Sequence, residues 1–428
     1  MPQHDNLFKS FVVHNIVRFN TTLYYENPQS FQQGQSCINV PHLRFPEFSG
    51  EWDHISLSDI ADIVGGGTPD TSVVEYWGGN IQWFTPSEIG KEKYARLSER
   101  TITEAGIKNS SAKLLPQGTV LLSSRATIGE CSIARQECTT NQGFQSLIAE
   151  TDKVTSEFLY YLVPTIKKEM LRRSCGSTFL EISANELRKI YVYRPSLIEQ
   201  NKLAEFMSLL DLRIETQKKI IEKYESLIRG LITSVNKGKI CGFKVVALKN
   251  VLTEVHEKNI QNHEVCSVSV SQGVINQIDY LGRSFAAKEV LHYNVVNYGD
   301  IVYTKSPTGE FPYGIVKRSN LDRPVAVSPL YGVYRPVNDY VGIYLHLYFK
   351  SPVNTKNYLH RLIQKGAKNT INITNQHFLD NQILIPEHGW LEIIVNAAST
   401  IEKMIQIECD ALLWLERQKN YLLSKMFI

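Results

Sequence analysis

Apolar side chains recur at alternating steps of three and four along one stretch of the chain: Met207, Leu210, Ile214, Ile221, Tyr224, Ile228, Leu231 and Val235, with Gln217 the one strongly polar intruder. That spacing is the seam of a coiled coil. Ser196 followed by Glu199 fits a capping box at the start, and no proline or glycine interrupts residues 197–229, Gly230 being the one weak point. The pattern predicts a helix over residues 196–235, roughly 60 Å long at ~1.5 Å per residue. A second seam, Ile405, Glu408, Leu412, Leu415, Lys419, Leu422 and Met426, has the same spacing with two charged intruders. One such stripe is as well explained by the core face of a surface helix, but two equivalent stripes favour pairing with each other.

Outside these stretches the hydrophobic pattern changes to short β-favouring runs such as Gly118 to Ser123 and Ile190 to Tyr193, separated by turn signals. A helical pattern spans 154–172, with Pro164 placed to kink or split it.

The pattern also repeats. Trp52 to Ile60 is echoed by Phe243 to Val251, and Ile182 to Leu187 by Ile373 to Phe378, both at an offset of 191. Between these anchors Leu115 to Ser124 resembles Val296 to Lys305 at an offset of 181. Matching ends with diverging interiors are what one framework carrying two different loop surfaces gives, because loops tolerate insertion and framework strands do not. Each repeat ends in a long helix, and antiparallel pairing of those helices would put a strand-rich unit at each end of a rod.

Size and composition agree with several cores: 428 residues, 43% of them hydrophobic. Charged residues are 21% and no run reaches the ~18 apolar residues of a membrane span. Residues 1–40 have no basic start leading into a continuous apolar run, so no export signal is expected. The seven cysteines are scattered with no paired spacing, which suits reduced thiols and a cytoplasmic location.

Net charge is only +3, but its distribution is uneven. Residues 301–370 hold ten Lys and Arg against three acids, and Lys167, Lys168, Arg172 and Arg173 cluster on the predicted helix. Both clusters suit a polyanion, with a solvated face the bland alternative. Gly65 to Pro69 is glycine-rich but lacks the spacing of a nucleotide-binding phosphate loop, so it reads as a recognition loop or an ordinary turn.

Side chains suited to groove or phosphate contacts in the first half are Gly66, Thr68, Trp83, Thr85, Ser87, Ser124, Arg125, Asn141 and Gln142, joined by Arg172 and Arg173. In the second half they are Lys305, Ser306, Lys317, Arg318, Ser328, Lys365, Lys368 and Asn369. No Glu-x-Lys triplet, phosphate loop, Asn-Pro-Pro-Tyr-type motif or paired-histidine spacing occurs, so neither catalysis nor a metal site is expected in this chain.

From Pro41 onward the chain resembles the specificity subunit of type I restriction-modification systems. The likeness rests on Pro41, Arg44, Phe45, Pro46, Phe48, Gly50 and Trp52, then Gly67-Thr68-Pro69, Trp83 with Thr85-Pro86, Glu199-Gln200 leading to Leu210-Asp211, and the closing Tyr421 to Phe427. Residues 1–40 precede the usual start, and Glu387 to Trp390 lacks the capping and Glu-Gln pattern of the first helix.

The resemblance implies an α+β fold in which two mixed α/β, strand-rich target-recognition domains (41–195 and 239–386) are separated by two long antiparallel coiled-coil helices (196–238 and 387–428) in a pseudo-twofold duplicated architecture. It implies a non-catalytic subunit that reads a bipartite site on double-stranded DNA and docks two methyltransferase subunits and restriction subunits. The complex, not this chain, would use S-adenosylmethionine, ATP and Mg2+. A free-standing duplicated DNA-binding regulator and a coiled-coil protein-binding scaffold are the alternatives.

Overall fold

The computed structural model describes residues 39–176, 180–236, 242–281, 289–365 and 371–428. Nearly all of the expected extension over 1–40 therefore lies outside the described residues, as do Lys368 and Asn369. Two compact units form: one holds the described residues up to Thr216 with Leu412–Ile428, the other holds Gln217–Ala411.

The first unit is built on a four-stranded antiparallel sheet in the spatial order Ala61–Gly65, Gln145–Ala149, Val120–Leu122, Cys131–Ile133. Its core gathers Leu57, Ile60, Val120, Leu147, Phe158 and Leu162 beneath the helix Ser156–Thr165. That helix ends one residue short of a second, Lys167–Arg173, with the break at Ile166 just past Pro164. Pro164 lacks the amide that would continue the ladder, so the split expected there is found.

The second unit repeats the sheet, in the order Leu252–Glu254, Gly332–Pro336, Ile301–Thr304, Ile315–Arg318. Its core stacks Phe378 on Tyr303 and Tyr334, with ring centroids 5.0 and 4.9 Å apart.

The sequence offsets reappear as strand register. Asp53 lies opposite Arg194 and Ser56 opposite Tyr191; 191 residues on, Lys244 lies opposite Ile385 and Ala247 opposite Gln382. Each repeat is thus clasped by its first and last strands. At the inner offset of 181, Val120 pairs with Ile133 and Leu147, and Ile301 with Arg318 and Tyr334. Gly118 and Gly299, also 181 apart, both take left-handed φ, +86° and +88°, at the turn into that strand. Ser183 and Thr374 each cap a short helix by accepting a backbone N–H three residues on.

The two predicted long helices are Leu197–Asn236 and His388–Met426. Ser196 accepts the Glu199 amide at the start of the first. The Glu199 carboxylate does not return to close the expected capping box: it takes a bidentate pair from Arg44 at 2.8 Å and the Trp52 indole N–H at 3.4 Å. Gln200, fully buried, receives the Thr155 amide and donates to the carbonyls of Lys153 and Pro195. The Glu-Gln pair therefore locks the helix to its own domain.

Within the first unit Leu203 and Met207 share a core with Leu423, Met426 and Phe427, and Asp211 pairs with Lys419 at 2.5 Å. Within the second, Ile228 and Ile232 pack with Ala398, Ile401 and Ile405. In both, lower numbers on one helix meet higher numbers on the other, so the segments run antiparallel. Leu210, Ile214, Ile221, Ile228, Leu231, Ile405, Leu412, Leu415 and Leu422 are all buried or half-buried. The α+β class, with two strand-rich domains and long helices, is as expected.

Candidate nucleic-acid interface

In an antiparallel sheet, strands leaving and strands arriving share an end, so loops distant in sequence converge there. In the first unit Gly65 pairs with Gln145 and Leu122 with Cys131, which brings the loops after Gly65 and Leu122 and those before Gln145 and Cys131 to one end of the sheet. The strand Trp77–Phe84 runs parallel to Cys138–Thr140 and delivers Thr85 beside Asn141, whose amide donates to the Phe84 carbonyl. Thr68, Thr85, Ser87, Arg125, Asn141 and Gln142 are thereby brought together.

Close packing explains the glycines. A Cβ on Gly66 would lie 2.1 Å from the Asn141 carbonyl oxygen, and one on Gly67 would lie 2.4 Å from the Ala112 nitrogen. Gly67 also donates to the Thr140 carbonyl, and Thr68 donates its hydroxyl to Gln142 Oε1. Gly66 is therefore required by backbone packing, and the loop edge is presented by Thr68 and the exposed Gln142.

Trp83 is a correction. Its ring is 4% exposed and its Nε1–H donates to the Gly67 carbonyl at 2.9 Å. Trp77 likewise donates to Asp70, meets Trp83 edge-on, and has the Arg100 guanidinium 3.5 Å above its ring. These aromatics are posts holding the loop, not a groove-facing surface. Ser124 is a second correction, fully buried with no partner for its hydroxyl among the described residues, while its backbone ties the loops together by bonds to Gly143 and Ile182.

Arg125 projects from the same loop and pairs with Glu181 at 2.6 Å, both partly exposed. Next to it Ala126 sits at φ +59°, unusual for a residue with a Cβ, at an exposed tip. Sequence reading missed Ala126, Glu181 and Arg100, which carry no local signal. It also missed Glu88, which closes a capping box with Thr85 that the spacing Thr85 to Glu88 announces.

Arg172 and Arg173 do not form a free basic patch. Both pair with Glu169, Arg173 also reaches Glu186 at 3.4 Å, and Lys167 holds Glu130 at 2.8 Å. The two guanidinium groups hold the Glu169 carboxyl at about 2, well below the ordinary range.

In the second unit the equivalent sheet end carries Lys305 and Ser306, both exposed, and half-buried Ser328, which accepts the Leu330 amide at 3.3 Å. Lys365 lies in the two-residue strand Gln364–Lys365. Lys317 and Arg318 are corrections: Arg318 pairs with Ile301, the far end of that strand from Thr304 and Lys305. Their exposures are only 4% and 5%. The basic excess over 301–370 is also partly neutralised: Arg318, Arg323, Arg335 and Lys350 pair with Asp339, Glu264, Asp300 and Glu402, three of which lie outside that window.

Residues 49–226 match the model of the type I restriction modification DNA specificity domain. The resemblance read from the sequence is borne out. Over 180 residues the chain is 43% identical to the type I restriction enzyme MjaIX specificity subunit of Methanocaldococcus jannaschii, covering 40% of this chain and 41% of that protein. Over 204 residues it is 26% identical to the EcoR124I/EcoR124II specificity subunit of Escherichia coli, covering 44% of this chain and 50% of that one. The matches thus span half or less of these curated relatives. A type I restriction-modification S subunit from M. genitalium shares the fold at TM-score 0.54 and 11% identity, covering 91% of this chain and 99% of that one. Among the described residues no helix is long and apolar enough to cross a membrane, and no cluster of metal-ligating side chains occurs.

Proposed function

We propose that this chain is the non-catalytic DNA specificity subunit of a type I restriction-modification complex and that its two strand-rich domains each read one half of a bipartite target. The observation that carries this reading is the reuse of one sheet topology in both units, with non-equivalent loops gathered at the same sheet end, together with the specificity domain matched over 49–226.

In the first domain the exposed Gln142 and Ser87 and the half-buried Thr68 supply donors and acceptors for base edges, and Arg125, released from Glu181, supplies a phosphate or guanine contact. In the second, Lys305 contacts phosphate, with Ser306 and Ser328 beside it. Sites on one face of a duplex recur about every 34–36 Å. Bases between the half-sites then go uncontacted.

Two methyltransferase subunits dock on this chain and restriction subunits join them; S-adenosylmethionine, ATP and Mg2+ are used by those partners. The work is done in the cytoplasm.

Sequencing of methylated sites in cells carrying the complex tests this. Substitutions within 60–145 are expected to change one half of the methylated sequence, and those within 300–375 the other. Mixed effects would refute independent readers. Lengthening both helices by one turn is expected to change only the spacer, and loss of co-purification with a methyltransferase would favour a free-standing regulator.

A further inference from the structure

The second unit contains a cavity of about 220 Å³ between the turn Val270–Val274, the end of the strand Ile315–Arg318 and the helix Asp339–Lys350. Lys317, Arg318, His346 and Lys350 line it with Ser271 and Gln272. A water molecule takes ~30 Å³, so the space admits a larger polar group.

The charges around it do not balance among the described residues. Arg318 is paired with Asp339, and Lys350 with Glu402 at 3.2 Å. Lys317 is 4% exposed, yet its side chain makes no hydrogen bond or ion pair with any described residue, and the acid that acts on it, Glu402, is held by Lys350. Burying an ammonium without a partner is expensive, so such a group either loses its proton or meets an anion. His346 adds no charge: burial, then Lys317, push it down to about 3, and its Nδ1 accepts the Arg318 amide at 3.3 Å. The neutral ring then carries its proton on Nε2, a donor.

We propose that this cavity is a binding site for a phosphate-type oxyanion, held by the ammonium of Lys317 with Lys350 and hydroxyl or amide donors of Ser271 and Gln272. The site lies toward the sheet end remote from Lys305, so it is separate from the loops assigned to base reading. It rests on the geometry of the second unit and stands or falls independently of the bipartite-reading proposal. Two sources offer the same chemistry: a free phosphate and a phosphodiester of the DNA backbone.

The test uses the full chain in phosphate-free buffer at constant ionic strength, with inorganic phosphate as one probe and a duplex of arbitrary sequence as the other. Lys317→Met keeps the side-chain volume and removes the charge; Ser271→Ala probes the opposite wall. For a free anion, calorimetry is expected to show saturable phosphate binding that weakens at least tenfold in Lys317→Met and measurably in Ser271→Ala, with duplex affinity unchanged. For a backbone phosphodiester, Lys317→Met is expected to weaken duplex binding several-fold, to lower its salt slope by about one, and to leave sequence preference intact. If Lys317→Met, shown folded by circular dichroism, changes neither phosphate nor duplex affinity, the proposal is overturned. Phosphate binding equal in wild type and both variants, with duplex affinity equal too, overturns it as well.

Discussion

Gln217 donates from Nε2 to the backbone carbonyl of Glu408 at 3.1 Å and also bonds its carboxylate, and the two residues stand 191 positions apart in sequence. They are the same position of the two repeats. In an antiparallel pair of related helices, equivalent positions face each other at one level only, so this contact fixes the pairing register. A polar group in an otherwise apolar seam commonly serves that purpose at some cost in stability.

Replacing Gln217 and Glu408 together by leucine is therefore expected to raise stability by roughly 1–2 kcal/mol. Thermal unfolding of the double variant measures this; a lower midpoint than wild type would show that the polar contact is itself stabilising.

Arg44 and Glu199 make a second prediction. The carboxylate is almost fully buried, so Arg44→Ala strands a charge and is expected to cost about 3–5 kcal/mol. Urea unfolding reads the loss, and protease cleavage near residues 39–50 should accelerate.

Lys317 gives a pH signature. Burial, then Lys350, lower its pKa to about 8, with Glu402 opposing. His346 is neutral, and Arg318 and Asp339 offset each other beside it. Because the folded-state pKa is below the unfolded value near ~10.4, the unfolded chain binds more protons between the two, and stability rises with pH across that window. Lys317→Met in phosphate-free buffer is expected to be more stable than wild type at pH 7 by roughly 3 kcal/mol. The gap should close as pH rises from 8 toward 10; a constant gap would mean packing, not charge, is responsible.

Two glycines should respond unequally to alanine. At Gly314, φ is +105° and a Cβ would lie 2.0 Å from the Thr304 carbonyl oxygen, so Gly314→Ala must shift backbone and is expected to cost several kcal/mol. Gly118→Ala meets nothing nearer than 3.3 Å and is expected to cost about 1 kcal/mol, from φ alone. Denaturation midpoints of the two variants decide the matter.

The framework was legible because it is periodic. The heptad seam with its capping serine gave the first helix to within a residue, the second seam marked only the later half of its helix, and the repeat offsets of 191 and 181 became strand registers. The interface was legible only in part, because residue type does not report burial. Trp83 and Arg318 have the chemistry of DNA contacts, yet one props a loop from below and the other is held inside by Asp339. Charge counted along a segment misled for a related reason: Glu264 and Glu402 reach that segment only through tertiary structure, and Asp300 lies one residue outside it. Glycine was read for openness to a ligand, whereas Gly66 is there because the Asn141 backbone leaves no room for a methyl group.

The clasp of first strand against last, Asp53 to Ser56 beside Tyr191 to Arg194 and its counterpart 191 residues on, means that the polypeptide enters and leaves each domain at the same doorway. Everything between is a cassette. Recombination between related genes with crossovers inside the two clasp strands would install a foreign domain whole, preserving the seam and the register at Gln217 while asking the incoming domain to supply its own partners for Gln200.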